Sequence, residues 1–170
     1  EFDHLIATGA LERLGRVELR DGEIWRMSPR HLPHGRMKVA LHRVLAAALD
    51  GRGLEVAVEV TTSFPGFMPA PDVAVFAAKG QAGSIPGADV RLVVEVSAST
   101  LDDDLGDKKR RYEAAGLPEY WVVDMAGRRA LRFTLEDGAF VEAAPVAAGD
   151  PCASLTLTGV TVDTGALPWG

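Results

Sequence analysis

The spacing of apolar positions changes several times along the chain, and each change marks an element. From Arg36 to Leu49, the residues Met37, Ala40, Leu41, Val44, Leu45, Ala48 and Leu49 recur every three or four positions. That period predicts a helix with one apolar face, stopped by Gly51 and Gly53. Leu54 to Thr62 is Val-rich and alternates, as a half-buried strand does. A loop with Pro65, Gly66 and Pro69 then leads to Asp72-Val-Ala-Val-Phe76, a second strand. Lys79 to Gly87 is a Gly-rich loop, and Val90 to Val96 a buried strand with a single carboxylate near its end. Thr100 to Ala115 predicts a second helix: Ser99 or Thr100 caps it, Asp102 to Asp104 suit its positive end, and Gly116 with Pro118 closes it. Tyr120 to Asp124 is a further strand. Helix, three strands, helix, strand is the order of an α/β fold with a mixed sheet.

The flanks add to that core. Residues 3–14 carry Leu5, Ile6, Leu11 and Leu14 at roughly helical spacing, enough for a short helix or turn. Arg16 to Leu19 and Glu23 to Met27 surround Arg20-Asp21-Gly22, and an Asp-Gly step between two such runs predicts a hairpin. Ser28 and Pro29 end it, and a polar loop continues to Gly35. A second hairpin is predicted from Arg129 to Leu135 and Ala139 to Glu142 around Asp137-Gly138, and a last alternating strand from Ser154 to Val162. No repeat, low-complexity block or linker divides the 170 residues, so one domain over 1–170 is expected.

Composition narrows the function classes. Apolar residues make up 47% and charged residues 25%, an ordinary globular balance. No apolar run approaches the roughly 20 residues of a membrane span. A cytoplasmic location without membrane contact is expected, since no signal peptide is visible and Cys152, the one cysteine, has no partner for a disulfide or a thiolate zinc site. The net charge of −6 argues against coating nucleic acid by bulk electrostatics, though not against a local basic patch. There is no phosphate loop ending in Lys-Ser or Lys-Thr, no Gly-x-Ser-x-Gly and no His-Glu-x-x-His. His31 and His34 are too few for a metal cluster, and His42 reads as a helix-surface residue.

Three side chains carry candidate chemistry. Glu95 lies in Leu92-Val-Val-Glu-Val-Ser97, where Val93, Glu95 and Ser97 share one strand face. A carboxylate inside so apolar a strand needs a cation, a metal or a wet cleft. A salt bridge to a buried arginine and simple exposure at the strand end compete with a functional role. Asp72, after Pro71, begins the neighbouring strand, as Pro-Asp commonly does after a turn. Adjacent strands set such neighbours roughly 5 Å apart, a separation at which two carboxylates suit Mg²⁺. Lys108 opens Lys108-Lys109-Arg110-Arg111, which reads either as a solvated basic face or, through a stripe of Leu105, Lys108 or Lys109, Tyr112 and Ala115, as a lysine returned over the sheet.

Pro71-Asp72-Val73-Ala74-Val75, Leu92-Val-Val-Glu95-Val-Ser-Ala-Ser99-Thr100, Gly106-Asp-Lys108-Lys-Arg-Arg-Tyr112 and Gly116-Leu-Pro-Glu119-Tyr-Trp121-Val-Val-Asp124 together resemble the Uma-type family of restriction-endonuclease-like proteins. Glu18-Leu-Arg-Asp21-Gly22-Glu23 and the stretch from Ser28-Pro29 to His34 are similar to its N-terminal part, and the likeness keeps its order over residues 1 to 142. The resemblance implies the PD-(D/E)XK nuclease superfamily, with an αβββαβ restriction-endonuclease-like core. The superfamily's lysine position, two after the glutamate, is here Ser97, and in this family the matching lysine comes from the next helix as Lys108. The implied activity is an endonuclease hydrolysing phosphodiester bonds of nucleic acid, with DNA the expected substrate. Asp72, Glu95 and the Val96 carbonyl would hold one or two Mg²⁺, with Mn²⁺ as a substitute. Lys108 would serve the attacking water or the developing charge. Glu18 and His34 match further family positions, against the plain readings of a hairpin surface carboxylate and a helix-start histidine. Lys109, Arg110 and Arg111, with Arg36, Lys38 and Arg43 on the first helix, would meet the nucleic-acid backbone. Two rivals stand beside this expectation: an inactive nuclease fold acting as a binding or assembly module, and an enzyme of small phosphodiesters. A homodimer is expected from the superfamily, with Trp121 or Trp169 exposed for the contact.

Overall fold

The Asp-Gly turn and the alternating flanks fix the first part of the structure. The computed structural model describes residues 1–27, 31–80 and 82–170. After a short helix α1 (Phe2–Ala7), β1 (Val17–Arg20) and β2 (Glu23–Arg26) pair antiparallel with Glu18 opposite Trp25 and Arg20 opposite Glu23. Asp21 takes a positive φ of 51° and Gly22 one of 82°, the double left-handed turn that an Asp-Gly hairpin demands. The expected end of this hairpin at Ser28 and Pro29 lies outside the described residues.

α2 (Leu32–Ala48) begins four residues before the apolar stripe does, because Pro33 supplies a preset φ in the first turn. Its Met37, Ala40, Leu41 and Leu45 are buried against the sheet. β3 (Leu54–Ala57) is shorter than the expected strand: the chain breaks at Glu59, whose φ is +54°, and resumes as β4 (Thr62–Ser63). β5 (Phe67–Met68) pairs with β1, β6 (Val73–Ala77) follows, and β7 (Ile85–Pro86) runs parallel to β4 inside the expected Gly-rich loop. Then come β8 (Val90–Ser97), α3 (Leu101–Leu105), α4 (Asp107–Ala114), β9 (Glu119–Asp124), β10 (Arg129–Glu136), β11 (Ala139–Glu142) and β12 (Val146–Ala147).

The central sheet has the order β11-β10-β9-β8-β6-β3, with β12 pairing β10. β8 and β9 are parallel, joined by the α3–α4 crossover, while the other neighbours are antiparallel. The αβββαβ order is therefore α2, β3, β6, β8, α3–α4 and β9, a mixed α/β core. Strand alternation divides the burial of β8. Leu92, Val94 and Val96 pack toward α2, whereas Val93 joins Tyr112, Tyr120 and Phe133 on the α4 side. Tyr112, Tyr120, Phe64, Phe67, Phe133 and Phe140 form a connected aromatic cluster there.

Two expectations are corrected. The helix over 100–115 is interrupted at Gly106 (φ −103°, ψ −101°), where a Cβ would lie 2.5 Å from the Asp102 carbonyl oxygen, so the break depends on glycine. The last strand over 154–162 is instead a turn between β13 (Pro151–Ala153) and β14 (Thr161–Asp163), which pair antiparallel. The turn forms because Ser154, Leu155 and Thr156 all bind the Glu119 side chain. No helix among the described residues is long and apolar enough to cross a membrane.

Candidate active site

The register of the sheet sets two carboxylates side by side. Val73 on β6 faces Val94 on β8, so the next step outward brings Asp72 beside Glu95. Asp72 Oδ2 accepts from the Val96 amide at 2.8 Å and from His34 Nε2 at 3.0 Å. His34 sits on the first turn of α2 and is buried, so this helix start aims a ring nitrogen at the strand end. His34 is thus a helix-start residue that also touches Asp72.

Lys108 answers the question that helical spacing left open. It points inward and is 1% exposed, while Lys109 lies over the Phe133 ring with its ammonium 4.4 Å from the centroid. The Lys108 Nζ is 3.2 Å from Glu95 Oε1, 3.6 Å from Glu18 Oε1 and 3.7 Å from Asp104 Oδ1. One turn later Tyr112 donates its hydroxyl to Glu95 Oε1 at 3.3 Å. Glu95 Oε2 is buried and has no hydrogen-bond partner among the described residues.

Glu18, one of whose readings was a surface carboxylate, is fully buried. It accepts from the Ala70 amide at 3.3 Å and from Arg20 at 3.0 Å. Arg20 continues to Asp103 at 3.1 Å and Asp107 at 3.2 Å, so β1 is tied across the break between α3 and α4. Ser97, at the superfamily's lysine position, donates to Asp104 Oδ2 at 2.5 Å, and Thr100 donates to the same oxygen at 2.6 Å. Arg20, Asp104 and Tyr112 were not singled out from the sequence. The signals for them exist: Arg20 is two residues from Glu18 on the same strand face, and Asp104 and Tyr112 are four residues either side of Lys108.

The electrostatics follow from crowding acids around few cations. Burial opposes ionisation of Glu95, Lys108 favours it, and Asp72, Asp104 and Glu18 oppose it again, leaving its pKa raised to about 8. Burial alone would discharge Lys108, but Glu95, Glu18, Asp104 and Asp72 together hold its pKa above that of an ordinary lysine. Burial pushes the Tyr112 phenol well above its usual range, with Glu95 and Glu18 adding to the effect, so it stays a donor. Among the described residues, no three His, Cys, Asp or Glu side chains come together as a ready set of metal ligands. A divalent ion beside Asp72 and Glu95 would need main-chain oxygen and water to complete its shell.

The residues expected to meet nucleic acid are placed unevenly. Arg36, Arg43 and Arg110 are exposed. Lys38 is bound to Glu59 at 2.7 Å, and Arg111 is held by Asp107 at 2.7 Å and Asp21 at 2.8 Å. Trp121 and Trp169, expected at the surface, are buried: Trp121 donates its indole N–H to Glu119, and Trp169 donates to the Thr164 carbonyl. Trp25 is the tryptophan that faces solvent.

The mixed sheet, which carries a buried acid pair at neighbouring strand ends and a lysine from the following helix, has a restriction-endonuclease-like fold. Comparison agrees. The chain resembles a crystal structure described as "a putative nuclease belonging to DUF820" from Anabaena variabilis, with a TM-score of 0.69, 12% sequence identity and 90% of each chain covered. No curated protein matches it. The Uma2 family model, described as "Putative restriction endonuclease", matches residues 1–165, and the chain belongs to that family. Family membership supports nuclease function, with nucleic acid as the substrate class.

Proposed function

We propose that the chain is a divalent-metal-dependent endonuclease that hydrolyses phosphodiester bonds of nucleic acid, DNA in the first place, using Mg²⁺ with Mn²⁺ as a substitute. The observation that carries this reading is the Lys108 ammonium 3.2 Å from Glu95 Oε1, beside an acid brought to the same sheet end by register. The residues also fit an ion: Glu95 keeps one buried oxygen without a hydrogen-bond partner among the described residues, and hard carboxylate oxygens are the donors Mg²⁺ prefers. Asp72, Glu95 and the Val96 carbonyl are the groups that would hold it. When bound, the ion supplies Lewis acidity toward the phosphoryl oxygen and makes water more acidic.

The chain's own side chains do the rest. Lys108 keeps its proton and presents an ammonium where negative charge grows on the phosphoryl group, or where a water must be held for attack. Glu18 and Asp104 flank that ammonium and limit its rotation. His34 and the Val96 amide fix one oxygen of Asp72, and Tyr112 fixes one oxygen of Glu95. Ser97 acts indirectly, by holding Asp104. Arg36, Arg43 and Arg110 are the exposed cations for backbone phosphates, Arg110 pairing with Asp107 at 3.3 Å, while Lys38, Lys109 and Arg111 are freed only by giving up their present contacts. A homodimer would have to use a surface other than Trp121 and Trp169.

The test is cleavage of supercoiled plasmid and of oligonucleotides by purified chain across a range of salt. Nicking or linearisation is expected with Mg²⁺ and with Mn²⁺, none in EDTA, and none in Asp72→Ala, Glu95→Ala or Lys108→Ala chains that still fold. No cutting of any nucleic acid with either ion overturns the reading. One observation favours an inactive binding module instead: the net charge of −6, which opposes a polyanionic substrate. A Mn²⁺ titration separates the two, because an inactive module has no reason to bind the ion through Asp72 and Glu95.

A further inference from the structure

Glu18 and Trp25 are directly opposed across the β1–β2 hairpin, so their side chains leave the same face. That face meets the Lys108 cluster, with Glu18 Oε1 3.6 Å from Nζ. The indole thus stands one side chain away from the proposed reacting centre. It also lines a cleft of about 130 Å³ with Arg20, Thr100, Asp104 and Lys108. Trp25 is 46% exposed, whereas Trp121 and Trp169 are buried. Its ring is not loose, because the Arg20 guanidinium lies 5.0 Å from the ring centroid and is itself anchored by Glu18, Asp103 and Asp107. An aromatic surface held in place and left open beside a proposed phosphate site has the form of a stacking platform.

We propose that Trp25 is the surface on which an unpaired nucleobase stacks, so that substrate enters as a single strand, a flap or a locally opened end rather than as intact duplex. This rests on the nuclease reading above and specifies its substrate class. Three features argue for it together. The groups that would meet the phosphate lie beneath the surface, with Glu95 fully buried and Lys108 1% exposed, so the backbone must bend inward to reach them. The cleft is smaller than the roughly 300 Å³ at which pockets for whole small molecules begin, which suits one strand threading a phosphate inward better than a rigid double helix. A chain of net charge −6 gains little from bulk attraction to phosphates, whereas stacking owes little to net charge and accepts any base.

The experiment reads binding and cutting separately. Emission from Trp25, taken as the difference between the parent chain and Trp25→Phe, which keeps Trp121 and Trp169, is followed while oligothymidylate, oligouridylate or a blunt hairpin duplex is added, in EDTA and again with Ca²⁺. The expected result is quenching by the single strands and not by the duplex, with thymidylate and uridylate distinguishing DNA from RNA. Anisotropy of a labelled single strand should show binding weakened by about tenfold or more in Trp25→Ala and largely kept in Trp25→Phe, which retains a ring. Both substitutions fall on an exposed strand position. Cleavage with Mg²⁺ is scored on the same strands. Quenching without cleavage keeps the platform and sinks the nuclease reading. No quenching by single strands, equal quenching by duplex, or unchanged single-strand binding in Trp25→Ala overturns the platform, and cleavage of the same strands then leaves the nuclease reading standing.

Discussion

Glu95 and Glu119 lie on adjacent parallel strands of one sheet, both fully buried, and their surroundings are opposites. Glu119 receives the Trp121 indole N–H at 2.6 Å, the Ser154 and Thr156 hydroxyls at 2.6 Å each, and the Leu155 and Thr156 amides at 2.8 and 3.0 Å. Both of its oxygens are enclosed by donors from the same molecule. Among the described residues, Glu95 receives two long contacts on one oxygen, from Lys108 and Tyr112, and none on the other. Burial of a carboxylate is therefore no mark of chemistry by itself. A fully satisfied acid is a rivet, here fastening the 154–157 turn to β9. An acid left partly unsatisfied in a dry strand is held in a costly state, and keeping it there needs a reason outside the fold.

The largest expected contrast is in activity. Glu95→Gln keeps the size and the Tyr112 contact while removing one ligand charge, and should lower Mg²⁺-dependent cleavage by about a thousandfold or more, in the range for losing a principal transition-state charge partner. Its stability in urea should be equal to or above that of the parent chain, since one acid leaves a crowded acidic cluster. Glu119→Ala should do the reverse. It strands five donors and should cost about 3 kcal/mol or more in the same urea titration, with cleavage per folded molecule little changed. If Glu95→Gln is the destabilised chain and Glu119→Ala the inactive one, the two acids have been assigned backwards.

How much of this contrast is legible in the sequence depends on the distance over which the cause acts. Strand alternation shows which face Asp72 and Glu95 take, while their adjacency also needs β6 to pair with β8 in the register that sets Val73 opposite Val94. The inward turn of Lys108 is not legible in local pattern, because the spacing of three to four leaves Lys108 and Lys109 equivalent. The break at Gly106, two residues before Lys108, resets the helix phase, and the aromatic ring of Phe133 offers Lys109 a place on the sheet side. Glu119 gives little local sign of being a rivet, because its partners other than Trp121 are 35 to 37 residues away in a stretch whose alternating pattern mimics a strand. Trp121 and Trp169 depart from expectation for a different reason: each indole N–H is satisfied inside the fold by an acceptor close in sequence, Glu119 two residues away and the Thr164 carbonyl five residues away. Glu18 and Arg20 need β1 to be placed beside β5, a long-range pairing with Met68 and Phe67.

A middle-sized effect should come from the support of Asp72. His34→Ala removes one of the donors to Oδ2 and leaves the Val96 amide as the other. Residues that orient a ligand without touching the ion typically cost about 10- to 100-fold in affinity or activity, and a loss in that range is expected, read as a weaker Mn²⁺ titration and slower cleavage. His34→Gln, which can still donate, should recover part of it. A loss as complete as that of Glu95→Gln would place the imidazole in contact with the reacting groups rather than behind Asp72.

The faintest contrast is a slope. In metal-free protein Glu95 has its pKa raised from 4.5 to about 8, first by burial and then by Asp72, Asp104 and Glu18, which outweigh the pull of Lys108. The folded chain therefore holds a proton that the unfolded chain releases above about 4.5, and stability should fall as pH climbs from there toward about 8 and then level off. Urea midpoints measured in EDTA at successive pH values would show this fall. Glu95→Gln should flatten it, because the titrating group is gone, whereas Glu119→Gln should lower the curve at every pH and keep the Glu95 part of the slope. A curve that instead rises through that window in the parent chain would mean that Lys108 wins over burial and the three acids, and Glu95 would then be the anion of a stable ion pair rather than an acid waiting for a stronger cation.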